Sequence, residues 1–337
     1  MTHTRNIHLV GSVPLDDANA VFTALGRRLG TRCQRYPDGE TGERSNWTQW
    51  QAHVFKDHPA LTSVMMGGPT NTRARFALRD DANPDSLTFP PLGYAGVAAA
   101  SFERFQALRA DETVPPGTRF QVSLPTPVAI AYSFAQPAAC PVIAAAIERR
   151  MQIELAELLA AIPHADLAIQ WDCAFEPIVL AGGMPDLTGN MRGHFLRETP
   201  ALIDRIPVDI PVGVHLCYGD PGHKHIIEPD SLALSVDLAH NLTAATKRRI
   251  DWFHMPVPRD RDDDAYVAPL ADLALPEGTE LYLGLVHMTD GVEGGRRRIA
   301  TAGRHRRDFG IATECGFGRR DPATIPALLD LHALLAD

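Results

Sequence analysis

A histidine and a cysteine two residues apart, His215 and Cys217 in Pro-Val-Gly-Val-His-Leu-Cys-Tyr, end an apolar run that reads as a buried strand. Residues i and i+2 of a strand point to one face. An imidazole and a thiol are therefore presented together where the chain turns into a loop. Such a nitrogen and sulfur fixed side by side suit zinc. A third soft ligand from another strand would nearly complete a tetrahedral site, and Cys315, in Ala-Thr-Glu-Cys-Gly-Phe-Gly-Arg, ends just such a strand. Alone, His-x-Cys equally describes two semi-buried residues with no common task. What strengthens it is the company at other strand ends: Ser12, Glu40, Asp172, His254 and His287. Asp172 is the most informative of these, because it lies inside the apolar run Leu-Ala-Ile-Gln-Trp-Asp and a buried carboxylate is costly unless paired or used. Alternation puts it on one face with Gln170 and turns Cys173 the other way, out of the site.

Positioning these residues requires a repeating scaffold. Eight short apolar runs read as strands ending near Val10, Tyr36, Leu124, Trp171, His215, His254, Val286 and Thr313. Helix-like stretches follow most of them, clearest over residues 16–29, 141–161, 231–246 and 322–335. In the second, Ile143, Ile147, Met151, Leu155 and Leu158 recur at helical spacing. Repeated strand–helix units imply a parallel sheet, and eight of them imply a closed (β/α)8 TIM barrel, an α/β fold. An open doubly wound sheet would normally carry a Gly-rich turn after its first strand. Here that turn is Val-Gly-Ser-Val-Pro-Leu. One interval breaks the rhythm: residues 56–117, rich in Pro, Gly and Asp, read as an excursion or lid over the barrel mouth between the second and third strands. It includes Met65-Met-Gly-Gly-Pro69 and Phe89-Pro-Pro-Leu-Gly-Tyr94. A shorter insertion spans residues 219–229. With no repeat and no low-complexity linker, a single domain over residues 1–337 is expected.

The 337 residues, 45% hydrophobic, suit a globular protein with a sizeable core. A net charge of −9 argues against nucleic acid or a membrane surface as partner. The N-terminus shows no signal peptide, and no apolar run approaches a membrane span. Five widely spaced cysteines do not form a disulfide framework, so a reducing cytoplasm is the expected compartment. The sequons Asn46-Trp-Thr48 and Asn241-Leu-Thr243 read as chance. His223-x-His225 has metal-like spacing but sits in a Gly-rich loop, where an exposed pair is expected. The run Asp260-Arg-Asp-Asp-Asp264 lacks the features of a calcium loop and reads as a turn capping the next helix. Arg296, Arg297, Arg298, Arg304, Arg306 and Arg307 read as a solvated helix face, with docking of an anionic tail near Gly294-Gly295 as the alternative. Cys33 and Cys140 read as structural thiols.

These motifs, in order along nearly the whole chain, resemble the catalytic barrel of cobalamin-independent methionine synthase and its shorter relatives. Ile7-His-Leu-Val-Gly-Ser-Val-Pro is similar to that family's Ile-Gly-Ser-Phe-Pro strand, and Asp38-Gly-Glu-Thr-Gly-Glu-Arg44 to its His-Gly-Glu-Ala-Glu-Arg. Residues 124–134 are similar to its Leu-Thr-Gly-Pro-Val-Thr running on to Trp-Ser-Phe. Ile169-Gln-Trp-Asp172, His215-Leu-Cys-Tyr218 and Glu314-Cys-Gly-Phe-Gly-Arg319 resemble Ile-Gln-Ile-Asp, His-Met-Cys-Tyr and Asp-Cys-Gly-Leu-Lys-x-Arg. The resemblance implies roles. Ser12, Glu40 and Asp172 would hold the amino-acid end of homocysteine. His215, Cys217 and Cys315 would bind zinc, and Tyr132 would lie against the pterin of a methyl donor.

The chain departs from the family in three respects. His254 stands where the family's fourth zinc ligand is a Glu; as a fourth ligand it keeps the metal but makes the site less negative, and the alternative is a histidine with satisfied nitrogens that either backs a ligand or belongs to the core. His287 and Thr289 stand where the family has Asp and His, which leaves His287 as the candidate acid. The second, N-terminal barrel of full-length members, which helps hold a folate polyglutamate, has no room in this chain. The expected function is zinc-dependent methyl or alkyl transfer to a thiol such as homocysteine, with a methylated folate or another methyl donor, Zn2+ as cofactor and Asp172 and His287 as catalytic groups. The alternative is a zinc Lewis-acid lyase, dealkylase or hydrolase of a small metabolite on the same barrel. A binding protein that kept the pocket and lost the chemistry ranks below both.

Overall fold

The described residues form nine strands, most of them apolar: β1 (Arg35–Pro37), β2 (Leu61–Met66), β3 (Arg73–Leu78), β4 (Arg119–Pro125), β5 (Leu167–Cys173), β6 (Val212–Leu216), β7 (Trp252–Pro256), β8 (Glu280–Gly284) and β9 (Gly310–Ile311). The computed structural model describes residues 4–67, 73–222 and 224–337. Seven of the strands form one parallel sheet in the order β1-β4-β5-β6-β7-β8-β9. Every residue of β5, β6 and β7 is buried, as both faces of a parallel sheet must be.

The expected first strand, ending near Val10, is not a strand. It is a short segment that touches both sheet edges: Ile7 bridges in parallel to Cys33 beside β1 and to Ile311 in β9. The pairing lapses where side chains take the next carbonyls, and returns as a single parallel bridge from Ser12 to Gly39. Gln121 Nε2 donates to the Leu9 and Val10 oxygens at 2.9 and 3.1 Å, Ser123 Oγ to Val10 O at 2.7 Å, and Gln170 Nε2 to Val10 O at 2.6 Å. Strands of seven rather than eight, with both edges joined through one residue, are what the ladder geometry supports.

The four clearest helices form near their expected bounds, at Ala18–Arg28, Cys140–Ala161, Ala233–Ala245 and Ile325–Ala336. Asp17 starts the first by accepting from Ala20 N–H at 2.8 Å. Ile143, Ile147, Met151, Leu155 and Leu158 are buried along one side of the second, each contributing roughly 1.5–3 kcal/mol. One hydrophobic cluster runs from Ile7 to Ala336.

The interval 56–117 holds two different things. Its first part is an antiparallel hairpin, β2 paired with β3; of Met65-Met-Gly-Gly-Pro69, the last two residues lie outside the described residues. Its second part is an ordinary outer helix, Tyr94–Ala110, packed beside Ala18–Arg28 and Cys140–Ala161. The buried Glu154 of Cys140–Ala161 starts that helix, accepting from the backbone N–H groups of Leu92, Gly93 and Ala95 at 2.7–3.2 Å. The acidic and arginine runs pair with one another: Arg297 with Asp262 at 3.0 Å, Arg304 and His305 with Asp264 at 3.1 and 2.9 Å. Asp263 caps Asp264–Val267. Arg298 departs from the expected solvated face, being buried with its guanidinium on Asp290.

Candidate metal centre and its cavity

Three neighbouring strands bring the first residues together. Parallel register sets Asp172 of β5 beside His215 of β6, and His215 beside His254 of β7. Cys217 follows β6, with its N–H on Cys173 O at 2.9 Å, and Cys315 follows β9. Among the described residues, His215, Cys217 and Cys315 alone form a group of three possible ligands, their ligand atoms within 4.8 Å of one another. The two sulfurs are 3.9 Å apart. Two zinc–sulfur bonds of about 2.3 Å at the tetrahedral angle would put them about 3.8 Å apart, so the pair fits that ion. The shared proton between them raises the Cys217 thiol and lowers the Cys315 thiol, because Cys217 donates to Cys315. Arg319 lies 4.0 Å from Cys315 Sγ.

The histidine supplies the third point. His215 Nε2 is buried with no hydrogen-bond partner. Its Nδ1 is 2.6 Å from His254 Nδ1, and His254 Nε2 is 3.0 Å from Thr313 O. A carbonyl only accepts, so His254 carries its proton on Nε2. Burial holds His254 at about 3, hence neutral, and leaves its Nδ1 as an acceptor. His215 Nδ1–H therefore donates to it, and His215 Nε2 keeps a bare lone pair. Gly284 makes this possible: a Cβ there would come within 2.9 Å of His254 Nε2 and 2.8 Å of Thr313 O.

Beside these ligands opens a cavity of about 890 Å³, lined by Ser12, Glu40, Asp172, His215, Cys217 and Cys315 with the residues below. Gln170 aims Asp172. Its Oε1 accepts from Trp252 Nε1–H at 3.3 Å and from His8 at 2.8 Å, which turns its amide toward Asp172 Oδ1 at 2.9 Å. Burial pushes Asp172 well above the usual carboxylate range, against the Gln170 hydrogen bond and with the Cys315 charge. Burial and the Asp172 charge push Glu40 up likewise. A cation bound between these two acids would favour their charged forms. Glu40 adopts φ 46°, a left-handed conformation unusual without glycine, braced by Asp38, which accepts from Glu40 N–H at 2.9 Å and pairs with Arg44. Ser12 Oγ accepts from Gly318 N–H at 3.1 Å, and a Cβ on Gly316 would sit 2.3 Å from that oxygen.

The structure does not bring every expected residue to this wall. Tyr132 is buried behind Phe175, ring centres 5.3 Å apart, its hydroxyl donating to Pro185 O and accepting from Leu187 N–H. His254 has both nitrogens engaged as described. His287 lies outside the cavity lining, with Nε2 donating to Val257 O at 2.9 Å and Nδ1 3.5 Å from Glu314. Burial holds His287 at about 3 and raises Glu314 to about 9. His225 approaches the other Glu314 oxygen at 3.4 Å with its side chain only 3% exposed, contrary to the exposed pair expected; His223 lies outside the described residues.

Sequence reasoning missed several wall residues. Trp47 stacks on Phe175 at 5.9 Å and 18°, and both line the cavity. Trp47 sits at φ 51°; with Glu40 and Glu112 it completes the non-glycine positive-φ residues among those described. The available signal was the sequon Asn46-Trp-Thr48, all three residues of which line the cavity. Lys56, Ser63, Arg73 and Phe76 come from the excursion and its hairpin. Asp220 pairs with Arg319 at 3.0 Å at the cavity edge.

No protein-family model and no curated protein matches this chain. Seven solved chains do. One is a B12-independent methionine synthase from Shewanella sp. W3-18-1 in complex with selenomethionine, at 12% identity and TM-score 0.63 over 99% of this chain and 97% of that one. Another, assigned as a vitamin-B12-independent methionine synthase, comes from Listeria monocytogenes, at 13% identity and TM-score 0.52 over 99% and 98%. At such identity the likeness establishes a shared fold. No helix among the described residues is long and apolar enough to cross a membrane.

Proposed function

We propose that this chain is a zinc-dependent transferase that moves a methyl or other alkyl group onto the sulfur of a small amino-acid thiol such as homocysteine. The observation that carries the reading is the His215, Cys217 and Cys315 cluster opening into the same cavity as the Glu40 and Asp172 carboxyls. His215 Nε2 and the two sulfurs would hold the metal. Zinc there would lower the pKa of an incoming thiol so that it is a nucleophilic thiolate at neutral pH.

The chain's own residues supply the rest. Glu40 and Asp172, as carboxylates, take the substrate ammonium through charge-assisted hydrogen bonds, each about 1.5–3 kcal/mol. Ser12 Oγ, fixed by Gly318 N–H, keeps its own proton free for the substrate carboxylate. The stacked Trp47 and Phe175 offer a flat apolar wall for the alkyl donor, with Lys56 and Arg73 toward the excursion for an anionic part of it. The hairpin of β2 and β3 acts as a lid, the barrel is completed by the segment around Ile7, and the chain works as one domain. The reading is supported by the fold shared with B12-independent methionine synthases.

The test is turnover of homocysteine with a panel of methyl donors, including a methylated folate, by zinc-loaded protein. Methyl transfer that requires the thiol and is lost in Cys217→Ser supports the reading. Turnover of a small metabolite without added thiol would replace it with the Lewis-acid alternative. That second reading is favoured by one observation: His287, the candidate acid of the transfer reaction, does not reach the cavity.

A further inference from the structure

We infer that His254 is a positioning residue rather than a ligand: it fixes the tautomer and aim of His215, and the metal keeps three protein ligands with its fourth position open to the substrate thiol. The inference rests on the metal reading above and narrows it.

The resemblance put a ligand at this position. The hydrogen bonds leave none. Each imidazole has two nitrogens, and both of His254's are spent: Nε2–H donates to Thr313 O at 3.0 Å, and Nδ1 accepts from His215 Nδ1–H at 2.6 Å. The ring is wholly buried, so swinging a nitrogen toward the sulfurs would strand the Thr313 carbonyl and the His215 N–H without partners. Each stranded buried group costs about 1–3 kcal/mol. Ladder register also explains the contact. His215 and His254 are direct neighbours across β6 and β7, so their side chains share a face and meet ring to ring, with centres 4.7 Å apart. The relay runs one way, from Thr313 O through His254 to His215, and ends on the unpartnered Nε2. Such a partner on the far nitrogen of a metal-binding histidine sets its tautomer, and removing it typically weakens metal binding about 10–100-fold. Three protein ligands and one open position is the arrangement of reactive rather than structural zinc sites.

Tautomers come first, because they need no metal. In 15N-histidine-labelled, metal-free protein, two-bond 1H–15N spectra should show His215 protonated on Nδ1 and His254 on Nε2. X-ray absorption of the zinc-loaded protein should count one imidazole and two sulfurs, rising to three sulfurs with added homocysteine. Chelator competition should show zinc held about 10–100-fold more weakly by His254→Ala. His254→Gln, whose Oε1 can accept from His215 and whose Nε2 can donate to Thr313, should retain most of the affinity. Thermal melts check that each variant folds, and the wild-type spectra stand whatever the variants do. Two imidazoles on zinc, reversed tautomers, or wild-type affinity in a folded His254→Ala would overturn the inference while leaving the metal reading intact. A folded wild type that takes up no zinc would overturn the metal reading, and with it this one.

Discussion

The inner end of the cavity is made from strand ends, whereas its outer wall is made from the irregular stretch between β1 and β4. At the inner end, Asp172, His215 and His254 sit at paired positions of three neighbouring strands, and their atoms are fixed by ladder geometry and by Gln170 and Thr313. On the outer wall, Trp47 comes from a distorted 3-10 stretch, Gly42–Gln51, and Phe76 from a hairpin with most of β2 exposed. Regular structure places the groups that must hold a sulfur within tenths of an ångström. Irregular structure places the groups that, in the proposed reaction, would meet the alkyl donor. Substitutions at the inner end should therefore abolish chemistry, while those on the outer wall should shift affinity.

The largest effect is expected at the sulfurs. Cys217→Ser or Cys315→Ser should lower thiol-dependent turnover by more than about 100-fold, beyond what loss of a supporting hydrogen bond produces, with zinc lost in parallel by metal analysis. Next come the acids. Asp172→Asn should raise KM for the amino-acid thiol about 10–100-fold, the loss of one charge-assisted hydrogen bond. The same variant should bind zinc normally, and a change in zinc content instead would place Asp172 in the metal site.

On the wall offered to the donor, Phe175→Ala should raise KM for the alkyl donor about 10-fold while sparing KM for the thiol. Equal effects on both would erase the distinction between the two regions. A buried acid outside the cavity lining gives a control on stability. Glu176 is raised to about 7, first by burial. Its folded pKa exceeds the unfolded value, so the stability associated with the protonated acid is full below about pH 4.5 and is lost as pH rises to about 7. Glu176→Gln should therefore be more stable than wild type near neutral pH, by up to ~3 kcal/mol from thermal melts, with the gain vanishing near pH 4. The smallest effect is expected at Tyr132→Phe, which loses its hydrogen bonds to Pro185 and Leu187. It should cost about 1 kcal/mol of stability by thermal melt and leave donor KM unchanged.

The same contrast explains what could be read from the chain. Strand-end residues such as Asp172, His215 and Cys217 were legible because burial and two-residue alternation constrain both their type and direction. Ser12, Glu40 and Cys315 fell into the same cavity by the same reasoning. The first strand was over-read: Leu9 and Val10 are apolar, yet their carbonyls go to Gln121, Ser123 and Gln170 instead of a ladder. Tyr132 was placed by motif likeness, but its hydroxyl finds backbone partners behind Phe175, a contact no local pattern encodes. Trp47 had only the sequon around it as a signal, since a left-handed tryptophan leaves no periodic trace. His254 was recognised as special, while its direction depended on Thr313, 59 residues away.

The most direct test of the account is zinc per chain in dialysed wild type and in Cys315→Ala, both purified with zinc present. The account predicts about one zinc in the wild type and none retained by the folded variant. A well-folded wild type without zinc would contradict it and leave Glu40 and Asp172 as the groups on which any chemistry in this cavity must rest.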